Sequence, residues 1–530
     1  MRMAAALFAL VAAAIVGAWS WLGAPVQMPQ SPLATGDKLT CISYAPFRGP
    51  QNPFGPDIPI DPRQIEEDLA QLKHVTNCIR TYSTDHGLDQ IPEIARRHGL
   101  QVMQGLWLSS LPEHSRKQIE TGIALANRFP DVIPALIIGN EVLLRGEMSA
   151  PDLVRTIREV KAKVPMPVTY ADVWEFWLRH RDVAGAVDFI SIHILPYWED
   201  FPIPAHQAAQ HLDAIRKQVV AAFPGKEIVV GEFGWPSAGR MREGALPSPV
   251  NQARALHDVL ALAKRENYRV NVIEAYDQPW KRQLEGTVGG YWGLFDAYRR
   301  QPKFAWGGVV SNHPQWRWQA AGGVALAAVV FAAAWAAGRR SQPPANLWLG
   351  IALIAFASGT VIGWAAANVP VESLTIGDWI RSLSWVAVAL LSPILGAVAL
   401  AKKAPLPSFQ RMLGRERPRD PVMLLLGVLL IALTVLAVQA ALGFVFNPRY
   451  RDFPFTPLTA AAVPFLLLTV LQARAQGARP AAESVAAAAL VLSAVYIVFN
   501  ETLANWQAVW FCAGLLALAL TLWRARDAPG

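Results

Sequence analysis

The sequence predicts an α/β class body, a (β/α)8 or TIM barrel, followed by an all-α polytopic membrane domain. Three observations predict it. Charged and turn-forming residues fill residues 35–313, whereas the rest of the chain is built of Ala, Leu, Val, Ile, Phe and Trp. Within the polar part, eight short β-rich runs alternate with amphipathic helical stretches, the mark of a parallel sheet. Beyond it lie blocks long enough to cross a bilayer core of about 30 Å, which takes about 20 helical residues.

The first apolar block covers residues 3–22, after Arg2. Trp19 and Trp21 stand where a small-x-small cleavage site would lie, so residues 1–24 read as a membrane anchor in preference to a signal peptide. The Pro-rich stretch 25–34 reads as an extended linker. Strands are expected at 39–44, 78–82, 101–107, 135–139, 167–170, 189–194, 227–231 and 270–275. Helices are expected at 63–74, 88–98, 115–128, 150–163, 207–223 and 249–267. A doubly wound sheet would need a Gly-rich phosphate loop, and the sequence has none, so the eight strands predict a barrel over residues 35–313.

Residues 319–526 read as a polytopic domain of about seven helices, at 319–338, 347–367, 383–401, 422–445, 457–472, 485–500 and 504–523. The net charge of +8 gathers beside these blocks, at 339–340, 402–403, 411–419, 474–479 and 524–526. With the N-terminus inside, every Lys/Arg-rich loop falls on the inner face, and the barrel falls outside. The charge is therefore an orientation signal. No basic stripe interleaved with aromatics runs through the polar body, which excludes a nucleic-acid partner. The spans hold almost no charge, and Glu372 and Glu501 fall in predicted loops, so the domain reads as an anchor or packing partner and not a transport path. Of the three cysteines, Cys512 lies in an apolar block, while Cys41 and Cys78 lie on consecutive strands and could pair in an oxidising compartment.

Barrel chemistry sits where strands end, at the C-terminal face. After the fourth strand comes Gly139-Asn140-Glu141, and after the seventh Gly231-Glu232-Phe233-Gly234-Trp235-Pro236. Two carboxylates facing each other across a cleft are what glycosidic bond cleavage requires, one protonated and one ionised. Tyr197, Trp198, Trp235, Trp280 and Trp292 follow strands six to eight and could offer rings to the C–H faces of sugars; Trp174 and Trp177 are weaker candidates. His193, inside a predicted strand, reads as a core histidine. No His/Cys/Asp cluster has metal-ligand spacing, so no metal is expected, and no cofactor motif or Ser nucleophile elbow is present.

These words in this order resemble glycoside hydrolase family 17. Gly231-Glu232-Phe233-Gly234-Trp235-Pro236-Ser237 looks like its nucleophile motif. Glu274-Ala275-Tyr276-Asp277-Gln278-Pro279-Trp280-Lys281 with Trp292-Gly293-Leu294-Phe295 resembles its eighth-strand signature, and Val187-Asp188-Phe189-Ile190 with Pro196-Tyr197 its sixth strand. The resemblance covers about residues 39–303 and none of the apolar tail. It implies retaining chemistry on β-1,3-glucan, with Glu232 as nucleophile and Glu141 as general acid/base. It further implies Asn140 on the sugar 2-hydroxyl, Tyr82 beside the nucleophile, and Lys281 and Glu285 as supporting charges. Gln278 departs from the pattern, since many relatives carry Glu there. For Glu141 to be protonated near neutral pH, apolar surroundings or the ionised Glu232 must raise its pKa.

The whole layout is similar to bacterial membrane-bound glucosyltransferases of cyclic β-glucan synthesis. The expected activity is therefore a transglucosidase that elongates, branches or cyclises β-1,3-glucan. A retaining hydrolase of the same linkage and a noncatalytic glucan-binding or export subunit are the alternatives. The expected partners are a β-glucan, the lipid bilayer and glucan-synthase membrane subunits. The expected location is a bacterial inner membrane, with the barrel on the periplasmic side.

Overall fold

The computed structural model describes residues 2–56, 58–339, 343–414, 418–472 and 477–526. Arg340, Arg415, Arg417 and Arg474, counted above among the inner-face charges, lie outside the described residues. The chain divides into two compact units, Val26–Ala238 with Gly244–Val310, and Met1–Pro25 with Gly239–Glu243 and Ser311–Gly530.

The first unit is a closed barrel of eight parallel strands in sequence order. They are β1 (Cys41–Ser43), β2 (Cys78–Arg80), β3 (Gln101–Leu106), β4 (Ala135–Asn140), β5 (Val168–Val173), β6 (Ile190–His193), β7 (Ile228–Phe233) and β8 (Val270–Val272). Strands enclosed by helices are buried on both faces, which is why β4 and β7 are apolar runs buried at every position rather than alternating ones. Helix starts are written locally. Asp61, Ser149 and Ser248 accept from the amides of Arg63, Asp152 and Asn251, and each is followed by Pro at the first or second helical position.

Three expectations shift. β5 runs on to Val173, because Ala171, Asp172 and Val173 all pair with β6. β7 reaches Phe233, so Glu232 is the penultimate residue of its strand and does not follow it. The stretch 25–34 is not a free linker: Val26–Gln27 pairs antiparallel with Val309–Val310, and Met28 is buried beside Val250, Ala253 and Val310. Cys41 and Cys78 form a disulfide between β1 and β2, with Cα atoms 4.4 Å apart. It lies among the buried residues Met103, Ala135, Ile137, Ala171, Phe189 and Val229.

The second unit is helical. Among the described residues, seven of its helices are long and apolar enough to cross a membrane: Arg2–Leu22, Trp316–Ala337, Ala345–Glu372, Ile376–Lys402, Pro421–Phe446, Ala481–Glu501 and Trp506–Arg524. Phe455–Leu471, read above as a span, has 17 residues, which is about 25 Å of helix. Helices approach most closely where small residues meet: a Cβ on Gly323 would lie 2.1 Å from the Gly359 carbonyl oxygen. Glu372 and Glu501 do not lie in loops; they end helices. Glu501 is buried and paired with Arg240 of the short segment Gly239–Glu243, which belongs to this unit. An ion pair at a helix end satisfies a carboxylate that could not be left alone in apolar surroundings.

The disulfide closes a loop of sequence separation 37. Replacing Cys41 and Cys78 by Ser is expected to lower barrel stability by about 3–4 kcal/mol. Denaturant unfolding of the full chain in detergent, read by barrel tryptophan fluorescence, checks this.

Candidate active site

The acid/base candidate is aimed by an irregular strand end. The β4–β5 register shifts between Ile137 and Asn140, after which Gly139 (φ +90) and Glu141 (φ +52) both take left-handed backbone. Bulges of this kind at a barrel rim redirect side chains. A Cβ on Gly139 would be strained by that φ and would lie 2.7 Å from Val142 Cγ2, so only glycine suits this turn. A second shift, between Ile192 and His193, brings His193 level with Glu232 on β7.

Arg80 is the hub. It is 1% exposed, a guanidinium at the centre of the barrel. Nη1 donates to Glu232 Oε1 and to the Gly231 carbonyl, both at 2.8 Å. Nη2 donates to Asn140 Oδ1 at 2.6 Å and lies 3.3 Å from His193 Nε2. Tyr82 Oη also donates to Glu232 Oε1, at 2.8 Å, and accepts from Ser43, which in turn accepts from Asn271 Nδ2. His193 Nδ1 lies 2.8 Å from Glu141 Oε1, and its Nε2 lies 3.5 Å from Glu232 Oε1.

Carboxylate oxygens of Glu141 and Glu232 and a His193 ring nitrogen all lie within 4.8 Å of one another. A cation could in principle be held by such a trio. Here the Arg80 guanidinium already supplies positive charge at Glu232 and His193. Burial alone would raise the Glu232 carboxyl. His193, Arg80, the Tyr82 hydroxyl and Lys281 outweigh it and hold the group below the usual carboxylate range. Burial and the charge of Glu232 hold the Tyr82 phenol well above its usual range, which keeps it a donor.

The outer ring of charge is also assembled. Lys281 Nζ donates to both oxygens of Glu274, at 2.9 and 2.8 Å. Burial raises the Glu274 carboxyl to about 7 against the opposing pull of Lys281. Burial likewise raises Glu285, with Lys281 opposing and Glu141 and Glu232 adding to the rise. Glu285 is therefore placed within electrostatic reach of the pair, despite its distance in sequence from Trp292. Gln278 donates to the Ala45 carbonyl and accepts from Trp280 Nε1, so the departure from the family pattern is accommodated as a neutral hydrogen-bonded group.

The aromatics divide. Trp280 is partly buried, with Phe47 and Phe54 edge-on. Trp198 stacks near-parallel to Trp292, with centroids 6.5 Å apart. Tyr197 and Trp235 are fully buried and do not offer a ring face; they pack edge-to-face, and Trp235 Nε1 donates to the Leu246 carbonyl. They build the wall behind the cleft, which corrects the expectation of direct sugar contact. Trp177 is also core, donating to the Ser191 carbonyl. His193 is buried, as its sequence reading expects, but it also bridges the two glutamates. Its position at the last residue of a barrel strand was the available signal.

The structure thus shows a closed parallel barrel with two neighbouring glutamates at its strand ends, a pairing that glycosidic bond cleavage requires. Residues 41–293 match the family model of the BtgE/BtgC glycoside hydrolase domain. A probable beta-glucosidase btgE of Aspergillus fumigatus is 28% identical over 246 residues, 45% of this chain and 43% of that protein. A glucan 1,3-beta-glucosidase of Arthroderma benhamiae is 27% identical over 271 residues, 46% of this chain and 84% of that protein. The crystal structure of a glycoside hydrolase family 17 beta-1,3-glucanosyltransferase from Rhizomucor miehei is 28% identical, covers 50% of this chain and 95% of that one, and superposes with a TM-score of 0.44. The match spans 43% of the length of the first of these relatives. The barrel is thus similar, over just under half of the chain, to the BtgE/BtgC glycoside hydrolase domain.

The raised Glu274 carboxyl has a thermodynamic consequence. Its folded pKa, about 7, exceeds its ordinary value of 4.5. Its stabilising contribution is then complete below the lower value and is lost as pH rises through the upper one. Glu274→Gln is expected to flatten the dependence of Tm on pH in that window, as measured by calorimetry of the full chain.

Proposed function

We propose that the protein is a membrane-anchored retaining transglucosidase acting on β-1,3-glucan. One observation carries the reading: two glutamates with oxygens within 4.8 Å, one of them held ionised by a buried guanidinium. Inverting enzymes keep their carboxyls about 6.5–9.5 Å apart to admit a water, whereas retaining ones need about 5–5.5 Å.

In the first step a Glu232 oxygen attacks C1 of the donor sugar. The C1–O bond to the departing glucan breaks, and that oxygen takes the proton of Glu141. The product is a glucosyl ester on Glu232 and an ionised Glu141. In the second step an acceptor hydroxyl gives its proton to Glu141 as its oxygen attacks C1, and the ester bond breaks. Asn140 is fixed by Arg80 through Oδ1, which leaves its amide nitrogen to donate to the sugar 2-hydroxyl. Trp280 and Trp292 would meet sugar faces, and Lys281 and Glu285 would steady the charge of the pair.

When the acceptor is a sugar the reaction is transfer; when it is water the reaction is hydrolysis. The hydrolase reading has its own support in the relatives named as glucosidases. Transfer is supported by the tethered layout, which holds the enzyme where glucan is assembled. The seven apolar helices and the disulfide between Cys41 and Cys78 support a bilayer location with the barrel on an oxidising, extracytoplasmic side. We read this as the periplasmic face of a bacterial inner membrane, beside glucan-synthase membrane subunits.

Incubation of the full chain in detergent with a linear β-1,3-glucan oligosaccharide tests the reading by mass spectrometry and proton NMR. The expected products include chains longer than the substrate, with β configuration at every new linkage. Only shortened products with initial β configuration would make the protein a retaining hydrolase. Initial α configuration would contradict the double displacement.

A further inference from the structure

We propose that Asp172, acting through Tyr170, is a positioning residue for the acid/base Glu141. The proposal rests on the catalytic reading above and concerns how the proton donor is held in place.

Glu141 occupies left-handed backbone at φ +52, a conformation that surrounding structure must enforce in a residue with a side chain. It opens a single helical turn: the amides of Arg145 and Glu147 donate to the carbonyls of Glu141 and Val142. The first amides of such a turn have no partner within it. Consecutive residues of β5 supply them. Glu141 N donates to the Ala171 carbonyl at 2.8 Å, and Leu143 N to Tyr170 Oη at 2.9 Å. Leu144 N reaches Asp172 Oδ2 at 3.4 Å. The Tyr170 hydroxyl in turn donates to Asp172 Oδ2, and Asp172 Oδ1 accepts from the Val173 amide at 2.8 Å.

A carboxylate at the start of a helical turn orients its amides and is stabilised by them. Asp172 also fixes the direction of the Tyr170 hydroxyl, because a carboxylate can only accept. The lone pair of Tyr170 is thereby turned toward Leu143. One fully buried carboxyl thus holds the turn that carries the proton donor, while touching neither reacting atom. Keeping it there is costly, since burial raises it to about 6, with Glu141 adding to the rise and Tyr170 and His193 opposing it. A purely structural position would be served as well by an apolar residue packed on the buried ring of Tyr170.

The test separates positioning of the acid from general structural support. A natural glucan leaves only if protonated, whereas 2,4-dinitrophenolate leaves unaided. The full chain, Asp172→Asn and Tyr170→Phe are compared in detergent on a linear β-1,3-glucan oligosaccharide and on 2,4-dinitrophenyl β-laminaribioside. A displacement of about 1 Å costs about 10²-fold in rate. Asp172→Asn is expected to lose about that factor in kcat on the oligosaccharide, with KM nearly unchanged, and less than about threefold in the rate of the pre-steady-state phenolate burst, which reports the first step alone. Tyr170→Phe is expected to show the same split, and it decides the matter should the Asn variant not fold. Equal losses on both donors, or no loss on either, would overturn the proposal. Failure of the unaltered chain to turn over either donor would instead overturn the catalytic reading, and this inference with it.

Discussion

The buried charge of Glu232 is the constraint the site is built around, and His193 and Arg80 together hold its carboxyl below the usual range against the cost of burial. The Arg80 guanidinium sits at the barrel axis with two donors on the Glu232 side and one on Asn140. Removing either partner of a buried ion pair leaves an uncompensated charge, at a cost of about 3–5 kcal/mol. The strands are therefore locked in register around the site as much as by their hydrogen bonds. Tyr82, Ser43 and Asn271 extend the same polar system to β1 and β8. On the opposite side His193 links it to Glu141. The site is thus part of the barrel core and not an addition to its surface.

Glu141 obeys a different constraint. Glu141 is 23% exposed at the side chain, whereas Glu232 is nearly sealed, so solvent reaches the pair at Glu141. Its backbone takes a positive φ, whereas Glu232 lies within strand β7, where the register with both neighbouring strands also shifts. A nucleophile needs a fixed line of attack. An acid that must also serve as a base needs access to both the departing and arriving hydroxyls.

Much of the architecture was legible in the sequence because it rests on local periodicity. The alternation of β-rich and amphipathic stretches located all eight strands, and apolar block length located the helices. Strand ends were less legible: β5 and β7 run on because their extra residues pair across the barrel, which no local pattern encodes. Glu141 and Glu232 were singled out by motif words at strand ends, and the closed barrel brings them together. Arg80 and His193 were not so marked, since a buried arginine and a strand histidine look like packing until the closed barrel brings β2, β6 and β7 together. Asp172 was hidden for the same reason. Tyr197 and Trp235 were read as sugar contacts because aromatic residues at strand ends serve both cleft and wall, and only burial tells them apart.

The central claim is that Glu232 forms the covalent intermediate. Its most direct test is to treat the full chain with a 2-deoxy-2-fluoro-β-laminaribiosyl fluoride, digest it and map the labelled peptide by mass spectrometry. The fluorine at C2 slows both steps, while the fluoride leaves without acid assistance, so the ester accumulates. The account predicts one equivalent of label, carried by Glu232 within Gly231-Glu232-Phe233-Gly234. Label on Glu141, Glu274 or Glu285, with Glu232 unmodified, would contradict it.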